Sequence, residues 1–315
     1  MRIDLLWIVL LAADASLALP STPEGRALAF LAREVPRWSP ANNCYSCHNN
    51  GDGARALYGA VRLQAAVPAE ALRDTSAWLN QPDRWDHNGG DGPYSDKKLA
   101  RIQFGAALVA AIDAGALKGH EALRKAAELV APFQEQDGSW HVEAEGTIGS
   151  PVTYGPVLAT HLARETLRRA DKQRYRGALT RSGKWLRGVA VRSVLDAAAA
   201  CLALSEEDDP PAEEQRRRCL ELIRAGQARD GGWGPFAASP PEAFDTAVVL
   251  LALAKQPKDK ELTAMIRRGR AWLLGQQLQD GSWPETTRPP GARSYAQRLS
   301  TTAWAALALL ATQER

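Results

Sequence analysis

The segment Asn43-Cys44-Tyr45-Ser46-Cys47-His48 brings two thiols three residues apart and follows them at once with an imidazole. C-x-x-C-H is the attachment pattern of c-type haem. The thiols of such a motif form thioethers to the porphyrin vinyl groups, and the adjacent histidine ligates iron from the proximal side. Cys44, Cys47 and His48 are therefore candidates to hold one covalent haem c, with His48 on the iron. The same residues also read as a local disulfide, a redox dithiol, or half of a metal site. Cys201 and Cys219 do not complete a zinc set, because they fall in predicted helices as plain core residues. A sixth iron ligand would come from His87 or His141, both in predicted loops. Met265 lies in mid-helix and is poorly placed for that role.

Two acids form a second group of candidates. Asp196 and Asp245 each stand near the start of an alanine- and leucine-rich helical segment. Each is a candidate catalytic acid in a cavity, or a carboxylate capping free N–H groups at a helix start. Glu206-Glu207-Asp208-Asp209, followed by Pro210-Pro211, reads as a solvated acidic loop.

The elements that must position these groups follow from composition and repeats. The chain has 315 residues, 45% hydrophobic and 24% charged, with 39 basic and 36 acidic side chains. These values exclude a disordered, collagenous or disulfide-dense protein. A net charge of +3 lacks the concentrated basic face of a nucleic-acid binder. Near the N-terminus, Arg2 precedes an apolar run from Leu5 to Ala13, and Ala13-Asp14-Ala15 offers a small-residue cleavage site. The expectation is a signal peptide over 1–15, a mature domain over 16–315, and export to the periplasm or the outside. Export agrees with covalent haem attachment. No stretch is long and apolar enough for an integral membrane span.

Three segments repeat: Gln134 to Trp140, Gln227 to Trp233 and Gln277 to Trp283 share the pattern Q-x-x-D-G-S/G-W. Ten tryptophans against five phenylalanines reflect this repeat. Each copy follows an amphipathic helical pattern and precedes a small, apolar one. Counting such patterns gives twelve helices in six pairs, with first helices beginning near Pro23, Ala69, Gly119, Asp171, Ala212 and Asp259. The period is that of a helical hairpin repeat. The charged helix, with Arg267, Arg268 and Arg270 on one face, is expected outside, and the apolar helix inside. The Asp-Gly pair makes the turn. The C-x-x-C-H loop, over 36–52, takes the place of that turn in the first hairpin.

The repeats resemble the QW motif of squalene–hopene cyclases, whose repeat architecture is shared with protein prenyltransferase β subunits. The resemblance covers the chain from about Pro23 to Ala311. It implies an all-α fold, an α/α toroid of about six hairpins, with inner helices around a central cavity and chemistry where those helices begin. At that pole it gathers Cys44, Cys47, His48, His87, His141, Glu143, Glu145, Tyr154, Asp196, Phe244, Asp245 and Ser300. The family's chemistry carries over only in part. No Asp-x-Asp-Asp acid is present, the diphosphate-binding Asp-rich motifs are missing, and Asp245 is followed by Ala247 where a zinc cysteine would stand. The sequence reading is thus an exported toroid carrying one haem, with a redox role and a redox partner protein. The alternatives are a cyclase- or transferase-like protein with an isoprenoid or lipid in its cavity, and a non-catalytic binding scaffold. Whether it is an enzyme stays open.

Overall fold

The computed structural model describes residues 22–89, 97–142, 148–257, 259–288 and 293–313. The signal-peptide expectation over 1–15 and the candidates Glu143 and Glu145 lie outside them. Among the described residues, twelve α-helices alternate between an outer and an inner layer. The outer ones are α1 (Pro23–Asn42), α3 (Glu70–Leu79), α5 (His120–Val130), α7 (Arg176–Gly188), α9 (Pro210–Ala225) and α11 (Lys260–Gly275). The inner ones are α2 (Ala54–Arg62), α4 (Lys97–Asp113), α6 (Gly155–Asp171), α8 (Val194–Ala203), α10 (Ala243–Ala254) and α12 (Tyr295–Ala311). A π-helical segment, Cys47–Gly53, runs directly into α2, and a 3₁₀ segment spans Pro82–His87.

Contacts between successive inner helices run from α2 through α4, α6, α8 and α10 to α12, and α12 returns to α2 and the π segment. The six hairpins therefore close into a ring, the α/α toroid expected from the repeat. The inner helices meet neighbours on nearly every side, which is why they are built from Ala, Leu and Val. In α8, Ala197, Ala198, Ala199, Ala200 and Cys201 are all fully buried.

One set of bonds recurs at each Q-x-x-D-G-x-W turn. The Trp indole N–H donates to a carbonyl near the end of the preceding outer segment: Trp140 to Val130 at 3.0 Å, Trp233 to Ile223 at 2.8 Å, Trp283 to Leu273 at 2.7 Å. The Ile223 carbonyl would otherwise lack a donor at the end of α9, whereas the Leu273 carbonyl also takes the Gln276 N–H at 3.1 Å. The Trp backbone N–H donates to an inner-helix threonine: Thr160, Thr246 or Thr302. The Gln amide bridges its own turn glycine and the next outer helix, reaching Ala178 O, Met265 O and Pro23 O at 2.8, 3.0 and 2.9 Å. The third copy thus joins the last hairpin to the first. The motif that spaces the hairpins also closes the ring.

Arg270 departs from the expected solvent-facing charge. It turns inward, bonds the Leu309 carbonyl at 2.6 Å and pairs with Glu24 across the seam. The acidic loop is also not simply solvated: Glu206 pairs with Arg168, Glu207 with Arg164 and Arg187, and Asp209 with Arg187 while capping α9.

Gly281 sits in this seam with φ +91°, and a Cβ there would stand 2.4 Å from the Arg26 carbonyl oxygen. Gly281→Ala should lower stability by more than the ~1 kcal/mol that an unstrained glycine change moves. Urea unfolding checks this. Gly188→Ala, with nothing near its Cβ and no left-handed φ, is the control.

Candidate functional site

The C-x-x-C-H loop leads into the first inner helix. Ser46 caps the π segment, accepting from the N–H groups of His48 and Asn49. Cys44 and Cys47 stand as separate, partly exposed thiols. Cys44 Sγ accepts from Trp38 Nε1 at 3.4 Å, and Trp38 stacks on Tyr295 with centroids 5.5 Å apart. Tyr45, between the thiols, stacks on Trp78 at 4.4 Å. The segment bearing His87 docks against this loop, because Asn88 accepts from Tyr45 N and donates to Tyr45 O, at 2.9 and 2.7 Å.

His48 keeps some exposure, but protein encloses it enough that burial lowers its pKa to about 4. Its Nδ1 is 2.9 Å from Ser300 Oγ, and its Nε2 takes no hydrogen bond among the described residues. Among the described residues no three His, Cys, Asp or Glu side chains converge on a point where a bare metal ion could sit. The donor set instead fits haem attachment, which needs two thiols at the porphyrin edge and one imidazole nitrogen at its centre.

Below His48 the ring axis is filled by a polar cluster. Asp52 is buried; its Oδ1 accepts from the Tyr154 hydroxyl and its Oδ2 from Gln103 Nε2 at 2.9 Å. Arg55 Nη2 lies 3.9 Å from Asp52, and the guanidinium sits 4.0 Å over the Trp304 ring. Desolvation raises the Asp52 pKa, opposed by the charge of Arg55 and the hydrogen bond from Tyr154. Tyr154 and Phe244 meet Trp304 edge-on, each at 5.8 Å. Gly51 is held to hydrogen by closeness, since a Cβ there would come within 2.9 Å of Gln103 Cβ.

Sequence reasoning did not single out Asp52, Arg55, Gln103 or Trp304. The one available signal was Asn49-Asn50-Gly51-Asp52-Gly53 directly after the histidine. Five polar or glycine residues at the start of a helix expected to be apolar mark a site, yet also read as an ordinary loop.

The two candidate acids part ways. Asp245 is wholly buried and forms a two-pronged pair with Arg288, at 2.8 and 2.9 Å. Arg288 also bonds Glu242 and the Gly149 carbonyl. Burial raises the Asp245 pKa to about 6 against the pull of Arg288. Asp245 thus ties two loops to α10. Asp196 instead opens onto a cleft of about 1100 Å³ between α6, α7 and α8. Neither acid caps its helix: Ser193 caps α8, accepting from Asp196 N at 2.9 Å, and Glu242 at the start of α10 makes no capping bond.

The cleft has apolar walls of Val157, Trp185 and Phe236, the last 41% exposed. Arg181, Lys184 and Arg192 give it cations. Burial raises the Asp196 pKa above its ordinary value, opposed by Ser193. His141 lines this cleft, with Nε2 2.7 Å from Ser139 Oγ, while His87 belongs to the segment docked on the cysteine loop.

His161 lies on α6, its Nδ1 buried with no hydrogen-bond partner. Burial lowers its pKa to about 4, with Glu165 opposing and Arg55, Arg164 and Arg168 adding. Between pH 6.5 and 4 the unfolded histidine binds a proton that the folded one refuses, so this group's contribution to stability falls as pH falls through that window. The slope has a ceiling of about 1.4 kcal/mol per pH unit. His161→Leu should flatten the fall in stability between pH 6.5 and 4, read by denaturant midpoints along the pH series.

Residues 192–315 match the squalene-hopene cyclase C-terminal domain family. A stretch of 67 residues, 19% of this chain and 10% of the relative, is 40% identical to a probable squalene–hopene cyclase of Sinorhizobium fredii (strain NBRC 101917 / NGR234). Over 249 residues, 74% of this chain and 45% of the relative, it is 26% identical to drimenyl diphosphate synthase of Streptomyces showdoensis. The matches therefore span less than half the length of either curated relative. Among solved structures, the type II terpene cyclase MstE from Scytonema, in complex with geranylgeranyl dihydroxybenzoate, superposes with a TM-score of 0.61. Its sequence is 17% identical, over 92% of this chain and 96% of that one. The ent-copalyl diphosphate synthase from Streptomyces platensis gives 0.54 at 18% identity, over 83% of this chain and 50% of that one. The fold is that of the terpene cyclases, and the squalene-hopene cyclase likeness in sequence lies in residues 192–315. Among the described residues no helix is long and apolar enough to cross a membrane.

Proposed function

We propose that the chain is a terpene-cyclase-like protein that binds an isoprenoid amphiphile with an anionic head in the Asp196 cleft. The observation that carries this reading is the cleft itself: an apolar wall, three cations against the ionised Asp137, and a second acid, Asp196, biased toward its un-ionised form, at the pole where inner helices begin. Apolar walls with a few convergent polar groups are the usual anatomy of a small-molecule site. The names of the similar proteins support an isoprenoid joined to an anionic group, a diphosphate in one and a dihydroxybenzoate in another. In this reading Arg181, Lys184 and Arg192 hold the head group. Asp196 presents its carboxyl proton to the hydrocarbon, so it is the candidate catalytic acid, whereas Asp245 serves the fold.

Calorimetric titration with farnesyl diphosphate, with farnesol and pyrophosphate as part-ligands, tests the reading. Lys184→Glu should weaken farnesyl diphosphate at least tenfold while farnesol changes little. Asp196→Asn should keep binding and abolish any cyclised product seen by gas chromatography. Farnesyl diphosphate and geranylgeranyl dihydroxybenzoate both failing to bind the unaltered chain would overturn it.

A second reading is carried by a different observation, His48 with Nδ1 2.9 Å from Ser300 Oγ and standing directly after Cys47 in the C-x-x-C-H segment. In it Cys44 and Cys47 hold one covalent haem c and His48 ligates the iron. His87, on the docked segment, is then better placed as sixth ligand than His141. Such a haem supplies one-electron redox chemistry or a ligand-binding iron. Export and a redox partner protein belong to this reading, because haem attachment to C-x-x-C-H takes place on exported chains. Expression with the haem-attachment machinery, followed by absorption and mass after denaturation, tests it. A chain with no added haem mass overturns it.

A further inference from the structure

The first and third Q-x-x-D-G-S-W turns are built alike around their serine. Ser139 Oγ donates to Asp137 Oδ1 at 2.6 Å, and Ser282 Oγ donates to Asp280 Oδ1 at 2.7 Å. Each serine backbone N–H goes to the same carboxylate oxygen, at 2.9 and 3.1 Å. The third group at the serine differs. Ser282 Oγ accepts from Arg298 Nε and Nη2, at 2.9 and 2.7 Å. Ser139 Oγ instead meets His141 Nε2 at 2.7 Å. This histidine directly follows the Trp of the repeat, where the other two copies have Gly234 and Pro284. The turn itself therefore does not call for a histidine there.

A serine hydroxyl has one proton and two lone pairs, and a carboxylate only accepts. The Ser139 proton goes to Asp137, so Ser139 is left to accept from His141. Arg298 shows the same polarity in the third copy, since a guanidinium can only donate. Neutral His141 thus carries its proton on Nε2 and keeps a lone pair on Nδ1. With the Nε2–H spent on the turn, any bond that His141 makes to a bound molecule is made as an acceptor. Burial pulls the Asp137 pKa up, but the two bonds from Ser139 outweigh it and hold the carboxyl below its ordinary value. Asp137 is therefore an ionised acceptor beside a neutral one.

Both residues line the Asp196 cleft, together with Arg181, Lys184 and Arg192. The cleft thus offers cations from α7 and the loop after it, and acceptors from the turn. A diphosphate satisfies the cations but sets its own acceptor oxygens against Asp137 and Nδ1. A head that carries an anion and a hydroxyl satisfies both sets at once. A site rejects a competitor by the repelled and unpaired groups it would leave. We infer that His141 is a specificity-determining residue, and that the cleft selects a hydroxy-acid head group over a diphosphate. This inference rests on the isoprenoid reading of the cleft given above.

Calorimetric titration of the full chain with three ligands tests it. They are geranylgeranyl dihydroxybenzoate, the geranylgeranyl benzoate lacking both hydroxyls, and geranylgeranyl diphosphate. The dihydroxybenzoate should bind about tenfold tighter than the benzoate, the worth of one net hydrogen bond, and tighter than the diphosphate. His141→Phe keeps an aromatic wall without the acceptor. It should erase the advantage over the benzoate, while binding of the benzoate itself changes little. Ser139→Ala frees the ring to carry its proton on either nitrogen and should shrink the advantage. Ser282→Ala loses the same turn bond in the third copy and should keep it. Equal binding of the dihydroxybenzoate and the benzoate, or tighter binding of the diphosphate, overturns the inference and leaves the isoprenoid reading standing. So does an advantage undiminished in His141→Phe or Ser139→Ala, or a uniform loss with all three ligands in His141→Phe, which would make the ring a plain part of the wall. Failure of all three ligands to bind the unaltered chain overturns the isoprenoid reading and this inference with it. Should one of the two variants fail to fold, the other still decides.

Discussion

Arg288→Met is expected to cost the protein about 3–5 kcal/mol of stability, the usual penalty for stripping the partner from a buried ion. Asp245 has no solvent to fall back on, and Arg288 gives it both of its charged bonds. The same guanidinium holds the Gly149 carbonyl and Glu242, so the loops before α6 and after the third QW turn lose their common tie. The uncompensated carboxyl would also titrate above about 6, because the Arg288 charge is what opposes its burial. Urea unfolding of Arg288→Met, Asp245→Asn and the pair together checks this. The pair should be markedly more stable than Arg288→Met alone, since no buried charge is then left unpaired. Additive losses would mean that the two side chains act separately.

Trp283→Ala should be comparably severe, about 3–5 kcal/mol, the range for truncating a large buried aromatic. Trp283 is fully buried in the turn that joins the last hairpin to the first. Its loss opens a cavity and removes one of the two donors to the Leu273 carbonyl at the end of α11. Trp283→Phe separates these effects: it refills most of the volume and should cost about 1 kcal/mol, the net worth of one hydrogen bond, because the Leu273 carbonyl keeps the Gln276 N–H at 3.1 Å. Trp272→Ala is the comparison, because Trp272 is only partly buried and bonds the Asp230 carboxylate at 3.0 Å. Calorimetric melting of the three variants should rank Trp283→Ala lowest. An equal effect from Trp272→Ala would mean that burial in the turn is not what matters.

Much of this architecture is legible in residue order because the repeat is local. A glutamine, an Asp-Gly turn and a tryptophan within seven residues carry their own bonding plan, and an alanine-rich helix announces burial by composition alone. Five of the six first-helix starts follow from this to within two residues, as do inner and outer layers; Asp171 instead ends α6, and the outer helix α7 begins at Arg176. Other features are not local. Thr160, Thr246 and Thr302 receive the tryptophan N–H groups from 13 to 20 residues away. Arg270 looks like a solvent-facing charge in its own helix and is one in no other respect, because the ring brings Glu24 against it. Asp196 and Asp245 occupy aligned positions in aligned helices, yet one faces a cleft and the other an arginine 43 residues on.

By itself, then, the order of residues determined the hairpin unit, its all-helical character and a thiol–thiol–imidazole motif in the first turn, since each depends on neighbours within about two helical turns. Only the closed ring decided what the motif and the acids meet. It set Ser300 against His48 across 252 residues and Tyr154 against Asp52 across 102. Side chains that far apart in sequence have no local preference for one another; they meet because six small-residue helices pack around one axis, and the polar groups left inside must find partners there.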